Sequence, residues 1–374
     1  MRLQTEVERF VRGEPIAVEV GEIERALGEL WQQASRAGET VAVSRAALWN
    51  VVIPARGREA LAAAKKLVDE IAPALPTRSI IVCAVTDRVG ERLEATIESN
   101  VVSQPGGARM VYSEEITVVG PTGAEAHFGA LVRALQVAGV PTATFWLDPG
   151  ASETLLAREL LPVTSRLVFD TTACVRPQQL FDVDRLAAAA QPLPIADLGW
   201  LRLGALRALF AGLFDPPVGG TPLAHTRRVA IHHLAGCDAN ALLFLAWIGV
   251  LLGWRPLRSA QTSDGGVRFD FARAGQSVAG HLIPGDGPCG RSGILAVELD
   301  AAEGRYATRR TAIDQALLQT PGVPAKPVKL DSPSDAELAV AALGARGRDP
   351  LFARCLAYAR QLWSLETETA GSRR

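Results

Sequence analysis

The stretch LWNVVIPARGREALAAAKKLVDEIAPALPTRSIIVCAV, residues 48–85, decides the fold of the first half of this chain. LWNVVIP (48–54) and RSIIVCAV (78–85) are nearly continuous apolar runs with many β-branched residues, as strands covered on both faces require. ARGREALAAAKKLVDEIA (55–72), between them, has a helical pattern. Strand, helix and strand in this order predict a parallel sheet with right-handed crossovers.

The same alternation extends outward. RMVYSEEITVV (109–119), PTATFWL (141–147) and RLVFD (166–170) read as further strands. TGAEAHFGALVRALQVAG (122–139) reads as a helix, with Thr122 as its N-cap and Gly139 before Pro141 as its stop. A helix over GEIERALGELWQQASRAG (21–38) precedes them. The expected first domain, residues 1–172, is an α/β, Rossmann-like domain with an open, mostly parallel sheet and an N-terminal helix.

The second half has a different grammar. Helices are expected at 176–190 and 196–214, then a strand at RRVAIHHL (227–234). ANALLFLAWIGVLLGW (239–254) carries no charge but is shorter than the roughly 20 residues of a bilayer span, so it reads as a buried helix. PLRSAQT, VRFDFARA, QSVAGHLIP, GILAVELD and RYATRR follow, separated by Gly-rich turns such as SDGG (263–266). They predict an antiparallel meander, hence an α+β domain over 173–320. TPGVPAKPVKLDSPS (320–334) reads as an extended connector, and helices at 334–344 and 350–366 complete a third segment, 321–374.

Charge and cysteines narrow the function. Lys plus Arg number 39 against 40 for Asp plus Glu, so no strong field favours nucleic acid or an acidic membrane. The five cysteines lie far apart, with no CxxC and no His in ligand spacing, which fits reduced thiols and excludes a sequence-evident zinc site. MRLQTEVERFVRGE at the start lacks the pattern of a signal peptide. The expectation is a cytoplasmic protein with no cofactor, no nucleic-acid partner and no membrane partner.

Catalytic motifs are sparse. Gly285, Gly287 and Gly290 form a GxGxxG, but a strand follows it and Pro288 sits inside it, so it reads as a hairpin turn rather than a dinucleotide loop. There is no Walker loop, nucleophile elbow or HExxH. His225, His232 and His233 are close in sequence, yet neighbours on a strand point to opposite faces, and structural roles fit them better than metal ligation. His127 and His281 are isolated. Asp170, Thr171 and Thr172 end a strand, where open α/β sheets place ligand-binding groups, or they cap the following turn. Cys174 reads as a small buried hydrophobe or as a redox-sensitive thiol.

PIADLGWLRLGALRALFAGLFDPP (194–217) carries the most information. On a helical wheel Leu198, Leu201, Leu203, Leu206, Leu209, Phe210 and Leu213 form one apolar arc. Trp200 and Arg207 fall on the opposite stripe, and such residues dominate interface hot spots. With Phe214 they are the expected partner contacts, unless another helix of the same chain covers that stripe. Arg202 lies inside the apolar arc and needs a carboxylate, for which Asp197 and Asp170 are the candidates.

DLGWLRLGALRALFAGLFD (197–215) and LFLAWIGVLLGW (243–254), with PTRSIIV, YSEEITV, GVPTATFWLDP and RLVFDTTA before them in order, resemble the glucose-6-phosphate dehydrogenase assembly proteins, the OpcA-like family. The chain departs from that pattern at Leu201 and at Leu206–Ala208. The resemblance implies a non-enzymatic assembly factor and allosteric activator whose partner is glucose-6-phosphate dehydrogenase, in the oxidative pentose phosphate pathway. The alternative reading is an α/β enzyme or binding protein for a sugar phosphate or nucleotide at the strand ends near Asp170 and Thr171.

Overall fold

A computed structural model describes residues 9–37, 42–45, 47–87, 92–103, 109–148, 155–190, 193–215, 218–365 and 367–368. The chain forms two compact units that interleave in sequence. The first comprises Met1–Phe169, Asp184–Ala196 and Ser334–Gly347, the second Asp170–Val183, Asp197–Pro333 and Arg348–Arg374.

The first unit is an α/β unit. Its strands are β1 (Arg9–Arg12), β2 (Ile16–Val18), β3 (Ala42–Arg45), β4 (Trp49–Arg56), β5 (Thr77–Val85), β6 (Glu94–Ser103), β7 (Arg109–Pro121), β8 (Thr142–Trp146), β9 (Arg166–Phe169) and β10 (Ile195–Asp197). The sheet order is β1-β6-β7-β5-β4-β8-β9-β10, with β2 on β6 and β3 on β7. From β7 to β9 every pairing is parallel, and β6 runs antiparallel to β7. The parallel strands β5, β8 and β9 are buried along their whole length, which is why their sequences are largely apolar, with polar residues such as Arg78 and Arg166 confined to the strand starts of β5 and β9. Strand β6 escapes that reading because EATIESNVVS alternates polar and apolar residues. The helices are α1 (Ile23–Ala37), α2 (Gly57–Ile71), α3 (Glu125–Leu135), α4 (Leu155–Leu160) and, from Asp184 onward, α5 (Pro177–Ala190), whose residues up to Val183 belong to the second unit. Thr122 does not cap α3: it opens a 3-10 turn, Thr122–Ala124, that makes no side-chain cap bond, and α3 ends four residues before Gly139.

The second unit is built on one large sheet. Its helices are α6 (Leu198–Arg202), α7 (Gly204–Gly212), α8 (Thr221–Ala224) and α9 (Asp238–Leu252). Its strands are β11 (Arg228–Leu234), β12 (Arg255–Gln261), β13 (Val267–Arg273), β14 (Gln276–Gly285), β15 (Ile294–Ala301), β16 (Gly304–Ala312), β17 (Gln315–Gln319), β18 (Lys326–Lys329) and β19 (Thr367–Glu368). The order is β18-β17-β16-β15-β11-β14-β13-β12-β19. Strand β11 comes first in the chain yet takes the centre, parallel to β14 and antiparallel to β15. It therefore divides the expected meander. The GxGxxG loop after β14 is not a hairpin turn but a crossover past the end of β11, since the strands it joins are not neighbours. Part of the expected connector pairs as β18.

The core of this unit lies on one face of the sheet. Helix α9 is buried on every side from Ala239 to Gly249 and stops at Gly253, whose φ of 65° is the left-handed C-cap conformation. A Cβ on Gly280 would meet Leu245 of α9 at 3.0 Å, so only glycine lets β14 approach the helix this closely. Trp254 packs on Phe271, and Phe214 on Tyr306, on the same face.

Two closing helices, α10 (Asp335–Gly344) and α11 (Pro350–Trp363), do not form a third body with the connector, contrary to the reading of 321–374. Each has an apolar face that must be buried. In the first unit, α10 buries Leu338, Ala339, Ala342 and Leu343 and packs on α2, while α11 belongs to the second. No helix among the described residues is long and apolar enough to cross a membrane.

Candidate functional site

Asp197 and Asp170 anchor a polar knot in the second unit. Asp197 is buried and N-caps α6, accepting from the backbone N–H groups of Gly199 at 2.9 Å and Trp200 at 3.0 Å. It also accepts from the backbone N–H of Thr171 at 2.8 Å and from the Thr171 hydroxyl. Burial first, then the charge of Asp170, pushes the Asp197 carboxyl up to about 6. Asp170 accepts from the backbone N–H of Thr172 and so caps the turn Thr171–Ala173. The Arg202 guanidinium, 7% exposed, donates to both Asp170 oxygens at 3.0 Å, a fork geometry. Asp170 is thus the carboxylate that the buried Arg202 required, while Asp197 serves the backbone. The strand-end residues Asp170 and Thr171, read as possible ligand groups, are spent on this clamp.

Trp200, Arg207 and Phe214 are not presented outward as the helical wheel suggested. Trp200 is 3% exposed, and its ring lies 5.4 Å from that of Phe352 on α11. Its indole N–H donates to Asp349 at 3.0 Å. The Arg207 guanidinium stacks over the Trp200 ring at 3.3 Å and donates to the Trp200 carbonyl at 3.1 Å. Burial pulls Arg207 down to about 10. Phe214 is buried between Phe210 and Tyr306. The physical reason is that α11, distant in sequence, covers the stripe, and that the expected single helix is interrupted at Leu203. Asp349 and Phe352 gave no signal of this role, since neither stands near the helix in sequence.

The first unit contains a topological feature that the sequence reading did not locate. The chain runs from β4 to β5 to β7 in one direction, then returns to place β8 and β9 on the other side of β4. In open α/β sheets, ligands bind in the crevice at such a reversal. Here that crevice is lined by Pro54, Ala55, Arg56, Trp146, Leu147, Asp148 and Leu156 and measures about 240 Å³ including its open mouth. That falls below the roughly 300–1,000 Å³ of ordinary small-molecule pockets. Arg56 donates to the buried Glu125 at 2.9 Å, and α2 begins at once at Gly57, without a glycine-rich loop.

The histidines divide as strand geometry requires: His233 is buried, with Nδ1 2.8 Å from the Leu234 carbonyl, and His232 on the opposite face is partly exposed. His225 pairs with Glu303. Among the described residues no cluster of three or more His, Cys, Asp or Glu is arranged to hold a metal. Cys83, Cys174 and Cys355 are buried thiols, and burial pushes Cys174 up strongly.

Known proteins resemble this chain in sequence and in fold. Residues 68–187 match the family described as glucose-6-phosphate dehydrogenase subunit N-terminal domain, and residues 193–356 match the corresponding C-terminal domain. The OpcA protein of Nostoc punctiforme, whose name assigns it provisionally to the OxPP cycle, is 28% identical over 56% of this chain and 44% of its own length. That of Synechococcus elongatus is 24% identical over 65% of this chain and 69% of its own length. The chain thus spans less than half of the Nostoc relative. The 3-ketoreductase KijD10 of Actinomadura kijaniata shares 11% identity with a TM-score of 0.50 over 86% of this chain and 98% of its own, a likeness of fold alone. Two matching domains in the same order, together covering most of the sequence, establish that the chain belongs to the OpcA-like glucose-6-phosphate dehydrogenase assembly family.

Proposed function

We propose that this protein acts in the cytoplasm as a non-catalytic assembly factor and activator of glucose-6-phosphate dehydrogenase in the oxidative pentose phosphate cycle. The observation that carries this reading is the ordered match of both halves of the chain to the two domains of that family, residues 68–187 and 193–356. Two features of the site support it. The polar groups at the end of β9 are consumed by the Asp170–Arg202 and Asp197–Thr171 clamp, and the crevice beside β4 is small for a substrate pocket.

The reading is tested by titrating the purified protein into glucose-6-phosphate dehydrogenase of the same organism, following NADP reduction at sub-saturating substrate. A saturable rise in rate is expected. A rate unchanged by excess protein, together with thermal stabilisation of the protein by a sugar phosphate or nucleotide, would favour a ligand-binding role instead. Such a ligand at 100 times its dissociation constant adds about 2.7 kcal/mol of stability.

A further inference from the structure

The nine-stranded sheet of the second unit has two faces of opposite character. One carries the apolar core under α9. The register fixes what stands on the other. Arg258, Asp270, Ala279, Arg228, Asp300 and Arg305 lie directly opposite one another across six strands, so their side chains share a face. Two residues along, Arg268, His281, Ala230 and Glu298 form the next row of that face, and Arg309, paired with Ala296, belongs to the row after it.

These side chains form a layered device. The carboxylates lie low: Asp270 and Glu298 are buried, Asp300 partly so. The arginines lie over them and stay in solvent, with side-chain exposures from 38% for Arg228 to 59% for Arg309. Asp270 accepts from Arg258 at 2.7 Å and from Arg268 at 2.9 Å. Glu298 accepts from Arg309 at 2.8 Å and stands 3.4 Å from Arg305, which also donates to Asp300 at 2.7 Å. Each guanidinium presents its N–H donors in a fixed planar fork that matches a carboxylate. Five arginines stand against three carboxylates on this face, an excess of positive charge on a chain whose net charge is −1.

We infer that this arginine-covered sheet face is the surface by which the protein docks an acidic surface of its partner protein, the occupant being another protein rather than a second copy. The inference rests on the assembly reading given above and adds its location. A second copy seated face to face would set arginine against arginine, and like charges in contact are penalised. Size fits a protein: six strands about 4.8 Å apart and about seven residues long make a face of roughly 600 Å², close to the ~800 Å² per partner of a stable interface. The buried carboxylates hold the guanidinium groups in place before binding, which lowers the ordering cost of an interface made by long side chains.

The test uses the full chain and glucose-6-phosphate dehydrogenase, with affinity measured by sedimentation. The triple variant Arg268→Gln, Arg305→Gln, Arg309→Gln is compared with wild type and with a control, Arg25→Gln, Arg58→Gln, whose arginines are exposed in the first unit. Affinity is expected to fall at least about tenfold in the triple variant and to stay unchanged in the control. Wild-type affinity is also expected to weaken steeply between about 50 and 300 mM salt. If the triple variant loses its fold, the salt titration decides, and a salt-independent affinity overturns the proposal. Wild-type binding of full strength in the folded triple variant overturns the docking face alone, leaving the assembly reading intact. Absence of binding by wild type overturns both. A self-associated form lost in the triple variant, or a single-stranded RNA oligomer bound by wild type and released by the triple variant, overturns the choice of an acidic protein surface as occupant.

Discussion

Glu115 and Glu98 stand directly opposite each other on β7 and β6, both 1% exposed, beside Lys65 and Arg12. Burial first, then the charge of Glu98, pushes Glu115 up to about 7. The folded state therefore holds a proton that the unfolded chain releases near its ordinary value. The stability this contributes is complete below about pH 4.3 and is lost as pH rises to about 7. Glu115→Gln keeps the neutral form at every pH, so it should raise the melting temperature at pH 8, with a ceiling of about 3 kcal/mol, and leave it nearly unchanged at pH 4.5. An equal shift at both pH values in thermal denaturation would count against this account. The second unit has the corresponding charge pair in Asp170 and Arg202. Arg202→Ala should cost about 3–5 kcal/mol in denaturant unfolding, because it leaves a carboxylate without its partner in a largely buried setting. A loss under about 1 kcal/mol would show the pair to be solvated. That Arg202 needs a carboxylate was legible in the sequence, since a charge inside an apolar arc has to be neutralised. Which carboxylate was not legible, because the choice depends on Asp197 being turned to cap α6.

At the scale of elements, α6 and α11 show what a local pattern omits. The wheel sets Trp200 and Arg207 on a stripe opposite the leucine arc, but it cannot report that the helix is interrupted at Leu203 or that α11, about 150 residues later, lies over Trp200. Trp200→Ala should therefore act through stability, costing about 3–5 kcal/mol as a large buried aromatic, and should leave affinity for the partner unchanged per folded molecule. Loss of affinity without loss of stability would restore Trp200 as a contact. The strands divide in the same way. Those with largely apolar sequences, β5 and β8, were legible because burial on both faces leaves a one-dimensional signature. The alternating β6 carried no such mark, and the central place of β11 is set by long-range pairing that no local window contains. The arginine face belongs with these: its charged members are scattered over β11, β12, β13, β15 and β16, and only register brings them into rows.

At the scale of the whole molecule, the chain changes unit five times, after Phe169, Val183, Ala196, Pro333 and Gly347, so neither unit is a continuous segment. Family membership and the strand-end chemistry point the same way: carboxylates, threonine and arginine at the end of β9 are committed to holding the chain together, while the exposed charge lies on an open sheet face. The proposed function requires that the protein bind glucose-6-phosphate dehydrogenase. The direct measurement is sedimentation velocity of an equimolar mixture of the two at low salt, against each alone. A new, faster boundary that consumes both components is the predicted result. Two boundaries that sediment as the separate proteins at every ratio, in reducing and oxidising buffer alike, would contradict the account.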